Sequence, residues 1–164
     1  MSEIIILFVC TGNTCRSPMA EALFRHEWER RPDTPGVRVL SAGLAAADGE
    51  QAAAYACMVM REAGLGLEGH CSALLSEELV EKAHLILVMS RQHRQRLQQR
   101  FPAAGEKIFL LKEYAGLTGD AEIGDPYGGT LERYRQVFAE IGDAVSRAVP
   151  RLERSLRDEN STGK

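Results

Sequence analysis

The stretch EIIILFVCTGNTCRSPMAE (residues 3–21) decides the fold of this chain. After Glu3 it opens with a continuous apolar run rich in β-branched residues, which is typical of a central parallel strand buried on both faces. A polar loop follows at residues 10–16, and Ser17 and Pro18 then have the character of a helix N-cap and first helical residue. The order strand, loop, helix predicts that the loop lies at the carboxyl end of the strand, where parallel sheets bind ligands.

The remainder of the chain alternates predicted strands and helices. Strands are predicted at residues 37–43, 84–90 and 107–111, and helices at residues 51–63, 76–82, 91–101 and from 131 onward. The helix at 91–101 is predicted to be basic and solvated, and Pro150 should end or kink the last helix. This alternation predicts one α/β domain, residues 1–156, with three α/β/α layers, a central four-stranded parallel sheet and a frayed polar tail at 157–164.

Composition limits the partners that this protein can have. Its 164 residues are 45% hydrophobic and 26% charged with a net charge of −3, which is ordinary for a soluble globular protein. That charge provides no broad attraction for nucleic acid or an anionic membrane, so neither is expected as a partner. The first apolar run is too short for a signal peptide or a membrane span, and the four cysteines are therefore expected to be reduced in a cytoplasmic protein.

The loop at residues 10–16 has the chemistry of an anion cradle. A loop of this length can turn its backbone N–H groups inward beside the following helix N-terminus. Gly12 and Asn13 tolerate the left-handed backbone that such a turn requires, and the planar guanidinium of Arg16 matches two phosphate oxygens. A cysteine thiol that faces this cradle should ionise readily. The pattern predicts a phosphoryl acceptor; the alternative is a strand-to-helix turn with two incidental core cysteines.

A phosphoryl acceptor also needs a proton donor, and Asp125 in GDPYGGT (residues 124–130) is the best candidate. Pro126 restricts the backbone after it, and the flanking glycines allow the segment to approach a bound phosphate closely. Taken alone, the same residues also fit an ordinary Asx turn.

Together, CTGNTCRSP after an apolar strand and the late DPYGG resemble the low-molecular-weight protein-tyrosine-phosphatase family, and within it the bacterial protein-arginine phosphatases. The resemblance covers most of the chain. It implies that Cys10 is the nucleophile, that Arg16 clamps the phosphate, and that Asp125 acts as acid and then as base. It also implies a cysteinyl-phosphate intermediate, no metal or other cofactor, and phosphorylated proteins as substrates.

Other residues take expected roles from the same resemblance. The phosphate-binding loop would consist of Thr11, Gly12, Asn13, Thr14, Cys15, Arg16 and Ser17. Asn13, Ser17, Ser41 and His70 would hold its shape through hydrogen bonds, and Ser17 would also donate to the Cys10 thiolate. Cys15 is either a packed thiol or the partner of a disulfide that protects the nucleophile from over-oxidation. Cys57 is expected in the core, and Cys71 beside His70 makes too poor a ligand set for zinc.

Two positions bear on which phosphorylated residue is the substrate. The arginine-phosphatase branch carries threonine at the place of Thr14, where the tyrosine-specific branch carries a bulky aliphatic residue. Tyr127 is followed by glycine and not by a second aromatic residue. Tyr127 is therefore the single aromatic wall at this place, and it can stack on a phenyl ring or a guanidinium plane. The segment 44–54 has no aromatic residue where relatives often place a second wall. These features favour phosphoarginine, with phosphotyrosine as the main alternative.

Two other functions fit the loop less well. A thioredoxin-coupled arsenate reductase needs two further cysteines close together past the third strand, and residues 87–101 contain none. A non-catalytic phosphate-binding module would need neither Cys10 nor Asp125. No residue pattern indicates an oligomeric state.

Overall fold

The computed structural model describes residues 3–163. The strands are β1 (Ile4–Cys10), β2 (Val37–Gly43), β3 (Leu85–Val88) and β4 (Ile108–Leu110). The helices are α1 (Arg16–Glu29), α2 (Ala54–Glu62), α3 (Glu77–Lys82), α4 (Arg91–Arg100), α5 (Leu111–Tyr114) and α6 (Leu131–Thr162), with a 3₁₀ helix at Pro102–Lys107.

The four strands form one sheet in the order β2-β1-β3-β4, and every neighbouring pair is parallel. The predicted three-layer fold with a four-stranded parallel sheet is confirmed. Because the chain passes from β1 to β2 on one side and returns to β3 on the other, β1 lies at the point where the strand order reverses. The loop after β1 therefore occupies the place where sheets of this kind bind ligands.

The two faces of β1 explain its continuous apolar run. Ile6, Phe8 and Cys10 point into one hydrophobic cluster, which also contains the buried sides of α1, α2 and α6. The alternate residues Ile5, Leu7 and Val9 point into the other, against α3 and α4. A strand covered by helices on both faces needs apolar residues at every position, and this one has them.

Two predictions at the start of α1 and in α4 were wrong. The N-cap of α1 is Cys15, which makes no side-chain capping bond, and Ser17 lies inside the first turn.

The helix α4 is not wholly solvated, because His93 and Leu97 are buried on the side that faces the sheet. These two residues are four positions apart, the spacing of one helix face, and they are the only residues of α4 that are neither arginine nor glutamine.

The last helix is longer than the sequence indicated. Pro150 lies inside α6, and the helix continues to Thr162, so most of the segment that was expected to fray is helical; Lys164 lies outside the described residues. Val149, Leu152 and Leu156 are buried on either side of the proline, and this packing holds both halves to the core. Of the described helices, none is long and apolar enough to cross a membrane.

Phe24 lies in the core between α1 and the sheet, and its substitution measures how much this packing stabilises the fold. It is fully buried, meets the Phe8 ring edge-on at 5.7 Å and stacks on Trp28 at 6.0 Å between ring centroids. We expect Phe24→Ala to lower the free energy of unfolding in urea by about 3–5 kcal/mol, because it leaves a cavity. The control is Phe138→Ala at a half-buried position of α6, where a loss of about 1 kcal/mol is expected. Equal losses would contradict this account.

Candidate active site

A cavity of about 310 Å³ opens above the carboxyl end of β1. Its lining combines the loop after β1 with parts of two other segments: Cys10, Thr11, Gly12, Asn13, Thr14, Cys15, Arg16, Ala45, Ala46, Ala47, Glu50, Asp125 and Tyr127. The structure thus brings Asp125 to the same cavity as Cys10 and Arg16, although more than a hundred residues separate it from their loop in the chain. Thr14 and Tyr127 line the same cavity, whereas Ser41 and His70 lie behind the loop.

The conformation of the loop depends on Asn13. Its backbone is left-handed, with φ of 57°, and its side chain is completely buried. The side-chain amide donates to Ser17 Oγ at 2.8 Å and to Ser41 Oγ at 2.9 Å, and its oxygen accepts from the Ala73 N–H at 2.9 Å. The backbone carbonyl lies 2.7 Å from His70 Nε2. Since a carbonyl only accepts, His70 must carry its proton on Nε2.

The thiol of Cys10 lies at the bottom of the cavity, 2.9 Å from Ser17 Oγ. Because that hydroxyl oxygen already accepts a hydrogen bond from Asn13, its own proton is available for the Cys10 sulfur. The sulfur also lies beside the N-terminal end of α1, where the helix dipole favours negative charge. A hydrogen bond to an ionised acceptor is stronger than a neutral one, so the arrangement stabilises a thiolate.

The end of β2 supports the same loop from below, which the sequence did not indicate. The N–H groups of Leu44 and Ala45 donate to the carbonyls of Cys10 and Thr11 at 2.9 and 3.0 Å. Gly43 lies so close that a Cβ atom there would sit 2.5 Å from the Thr11 carbonyl oxygen. Only glycine allows this approach of two backbone segments.

Arg16 ties the segment that carries Asp125 to the cradle. Its guanidinium donates through Nη1 to the Ile123 carbonyl at 2.8 Å, and Nη2 lies 3.7 Å from the Asp125 carboxylate. The Ile123 N–H in turn donates to the Met89 carbonyl at the end of β3, at 2.9 Å. Asp125 is about half exposed and turned toward the cavity, where it can reach a bound substrate.

The Asx turn that competed with a catalytic role for Asp125 is also present. Its Oδ1 accepts from the Tyr127 N–H at 3.0 Å, while Oδ2 is the atom near Arg16. The two interactions use different oxygens, so the turn orients the carboxylate toward the cradle without occupying it. The same turn places the Tyr127 side chain at the rim, where 75% of it is exposed.

Cys15 is buried behind the cradle and differs from Cys10 in its surroundings. Its sulfur lies 3.4 Å from the Tyr134 hydroxyl on α6. Burial raises the pKa of the Cys15 thiol above its usual range, because a charged sulfur is poorly solvated there. Cys15 therefore stays protonated near neutral pH and is a poor nucleophile. All four cysteines are free thiols in this structure.

His93 is a buried neighbour of the cradle to which the sequence prediction gave no role. Its Nε2 lies 2.9 Å from Thr11 Oγ1, and its Nδ1 has no hydrogen-bond partner within the described residues. Burial lowers the pKa of His93 to about 4, and the positive charges of Arg16 and Arg96 contribute further. The imidazole is thus neutral at physiological pH and adds no charge beneath the loop.

This low pKa predicts a pH dependence of stability. Between pH 6.5, its ordinary pKa, and about 4, His93 binds a proton in the unfolded chain but not in the native one, so stability falls as pH falls through this window. We expect the contribution to reach up to about 3 kcal/mol and to disappear in His93→Gln. Urea unfolding at a series of pH values measures it as the difference between the wild-type and variant profiles.

The control for that experiment is His26→Gln, at an exposed position on α1. Its profile should follow the wild type. Parallel profiles for wild type and His93→Gln would show that His93 is not responsible for the loss.

Comparison with known proteins agrees with this geometry. A protein-arginine-phosphatase of Geobacillus stearothermophilus is 42% identical over 148 residues, which are 90% of this chain and 95% of that protein. The low molecular weight protein-tyrosine-phosphatase Wzb of Escherichia coli K12 is 35% identical over 154 residues, 94% of this chain and 96% of its own.

A similar solved structure is that of a YwlE arginine phosphatase in which cysteine is replaced by serine and the active-site serine is phosphorylated. It superposes with a TM-score of 0.86 at 40% identity, covering 94% of this chain and 99% of that one. The sequence pattern of low molecular weight phosphotyrosine protein phosphatases matches residues 5–160. With the parallel sheet, the cysteine cradle and these relatives in agreement, the chain belongs to the low molecular weight phosphotyrosine protein phosphatase family.

Proposed function

We propose that this protein is a protein-arginine phosphatase, which removes phosphate from phosphoarginine residues through a cysteinyl-phosphate intermediate. The observation that carries the proposal is the Cys10 thiol, held by Ser17 at the bottom of an anion cradle that also contains Arg16 and Asp125. The protein-arginine-phosphatase relative, which is 42% identical, supports the choice of substrate.

In the first step, the loop N–H groups and Arg16 bind the phosphoryl oxygens, and the Cys10 thiolate attacks phosphorus. The sulfur–phosphorus bond forms as the phosphorus–nitrogen bond breaks. The electron pair of the broken bond goes to the guanidino nitrogen, which takes a proton from Asp125. The phosphorylated active-site serine of the YwlE variant supports a phosphoryl group on the side chain at this place.

In the second step, water attacks the phosphorus of the intermediate and gives its proton to Asp125. The sulfur–phosphorus electron pair returns to Cys10 as thiolate, and inorganic phosphate leaves. Ser17 stabilises that thiolate in both steps through the hydrogen bond already present in the free protein. These two steps use only groups of this protein and water, so we propose that no metal or organic cofactor takes part.

The lining of the cavity above the cradle supports a guanidinium substrate. The wall that follows β2 presents three methyl groups, from Ala45, Ala46 and Ala47, instead of an aromatic ring. Thr14 is smaller than the aliphatic residue of the tyrosine-specific branch and leaves room for a planar cation. Tyr127 offers the one aromatic face, on which a guanidinium stacks well.

Phosphotyrosine is the second candidate substrate. It is favoured by the exposed Tyr127 ring, which can stack on a phenyl group, and by the likeness to Wzb. The mechanism would be the same, with Asp125 protonating a phenolic oxygen instead of a nitrogen.

We further propose that Cys15 guards the nucleophile: after a peroxide oxidises the Cys10 sulfur to a sulfenic acid, the Cys15 sulfur attacks it, water leaves and a reversible disulfide forms. Both are buried free thiols in the structure.

An enzyme that attacks with a thiolate needs a reducing compartment, so we propose that this protein acts on phosphorylated proteins in the bacterial cytoplasm.

The substrate proposal is tested by kcat/KM for a phosphoarginine peptide and a phosphotyrosine peptide of the same sequence, measured on one preparation. We expect a preference for phosphoarginine of about 100-fold or more, since a site built to pair a cation rejects a neutral ring strongly. A preference for phosphotyrosine would overturn the proposed substrate and keep the mechanism.

The blank for that assay is Cys10→Ser, which also tests the nucleophile. We expect no turnover of either peptide, and a gain of one phosphoryl group in the intact mass of the variant after incubation with phosphoarginine peptide. Cys15→Ser is the matched control, because the Cys15 thiol is buried against the Tyr134 hydroxyl and its raised pKa keeps it protonated, and the variant should keep most of the wild-type kcat. Turnover by Cys10→Ser at the wild-type rate would exclude Cys10 as the nucleophile.

Thr14 is tested with two substitutions that separate size from hydroxyl chemistry. Thr14→Ile should shift the ratio of the two kcat/KM values toward phosphotyrosine by about 10-fold or more, because the added bulk fills the space for the guanidinium. Thr14→Val has the shape of threonine without its hydroxyl, so it should keep the ratio. If the hydroxyl helps to orient the attacking water, Thr14→Val should lower kcat for both peptides equally. An unchanged ratio in Thr14→Ile would contradict the size argument.

A further inference from the structure

The cavity has two walls that come from opposite sides of β1. The segment after β2 supplies one wall, with Ala45, Ala47 and Glu50. The segment that carries Asp125 and Tyr127 supplies the other, and it is attached to the end of β3 through Ile123. Because β2 and β3 flank β1 in the sheet, a group bound above the cradle lies between the two walls.

Each wall contributes one acidic residue to the lining of the cavity: Asp125 on the β3 side and Glu50 on the β2 side. The proposed mechanism uses Asp125 and gives no role to Glu50. A phosphate-binding enzyme has a reason to keep negative charge away from its site, since a carboxylate repels the phosphoryl dianion. The reason for a second acidic residue at this cavity must therefore lie in a part of the substrate other than the phosphoryl group.

The backbone of Glu50 is fixed in place by Ser72. The Glu50 N–H donates to Ser72 Oγ at 2.9 Å, and its carbonyl accepts from the Ser72 N–H at 2.8 Å. The preceding N–H, of Gly49, donates to the Ser72 carbonyl at 2.8 Å. Ser72 itself is buried, and its hydroxyl also donates to the Ala47 carbonyl. These bonds hold Glu50 at the edge of the cavity before any substrate arrives.

The side chain of Glu50 has no partner of its own within residues 3–163: its hydrogen bonds there are those of its backbone. Asp48, two residues earlier in the same segment, contrasts with it. The Asp48 carboxylate accepts from the Leu74 N–H at 2.8 Å and does not line the cavity. Asp48 thus has a structural bond, whereas Glu50 lines the cavity with a side chain that makes no hydrogen bond or ion pair to residues 3–163.

We propose that Glu50 is a specificity-determining residue that pairs with the cationic guanidinium of the substrate from the side opposite Asp125. This inference rests on the proposed phosphoarginine activity and deepens it. A phosphorylated guanidinium carries its positive charge next to the phosphoryl group, whereas a phosphotyrosine ring carries none. Because Asp125 must carry a proton to act as the acid of the first step, Glu50 is the negative charge that favours the first substrate and disfavours the second.

The two carboxylates should differ in the kinetic constant that they affect. Asp125 transfers a proton as the bond breaks, so its loss lowers kcat. Glu50 meets a charge that is present before, during and after the bond breaks, so it stabilises substrate and transition state alike. Such uniform binding changes KM and leaves kcat unchanged.

The experiment compares wild type, Glu50→Gln and Glu50→Lys on the matched phosphoarginine and phosphotyrosine peptides. For phosphoarginine we expect KM to rise about 5-fold in Glu50→Gln and further in Glu50→Lys, with kcat within about 2-fold of wild type. For phosphotyrosine we expect KM to stay the same or fall. The Glu50→Gln effect should also shrink as ionic strength rises, because the pair lies at a solvent-accessible edge.

The matched control is Asp48→Asn, which removes one negative charge from the same segment and keeps an acceptor for the Leu74 N–H. It should leave both KM values unchanged. An equal KM shift in Asp48→Asn would mean that net charge, and not Glu50, is responsible. An unchanged KM in Glu50→Gln, with the wild type still preferring phosphoarginine, would overturn the role of Glu50 alone. A wild type without that preference would overturn the proposed substrate and this inference with it.

Discussion

The buried side-chain amide of Asn13 holds the loop after β1 in a single backbone conformation. The residue has a left-handed φ of 57°, and its amide joins the loop to Ser17, to Ser41 on β2 and to Ala73. Each of these buried groups would cost about 1–3 kcal/mol if left without a partner. The network therefore makes one loop conformation strongly preferred before any ligand binds, which is the condition for electrostatic catalysis.

The charges of the site follow from that arrangement. Asn13 occupies one lone pair of Ser17, which leaves the hydroxyl proton for the Cys10 thiolate. Arg16 is a positive side chain that lines the cradle, and it also binds the Ile123 carbonyl, which keeps the segment that carries Asp125 close to the cradle. His93 lies below as a neutral imidazole because burial and Arg16 both disfavour its protonation. His93 therefore adds no positive charge to that of the Arg16 guanidinium at the cradle.

Much of the fold could be predicted because local signals agreed with the global arrangement. The apolar run of β1 predicted a strand covered on both faces, and its alternate residues do enter two separate clusters. The errors occurred where tertiary contacts outweigh a local preference. Ser17 has the propensity of a helix cap, yet its hydroxyl bonds Cys10 and Asn13 instead. Pro150 disfavours helix, yet buried neighbours on both sides keep α6 continuous.

The sequence by itself determined the parallel α/β fold and the family, and it predicted Cys10, Arg16 and Asp125 as the side chains with reactive chemistry. These can be read from the chain because strand periodicity, turn residues and a compact loop motif are local properties. Only the tertiary structure decided how His93 meets Thr11, why Gly43 must be glycine, and that Glu50 and Asp125 occupy opposite walls of one cavity. Those relations join residues tens of positions apart, and the packing of the sheet, not any local pattern, brings them together.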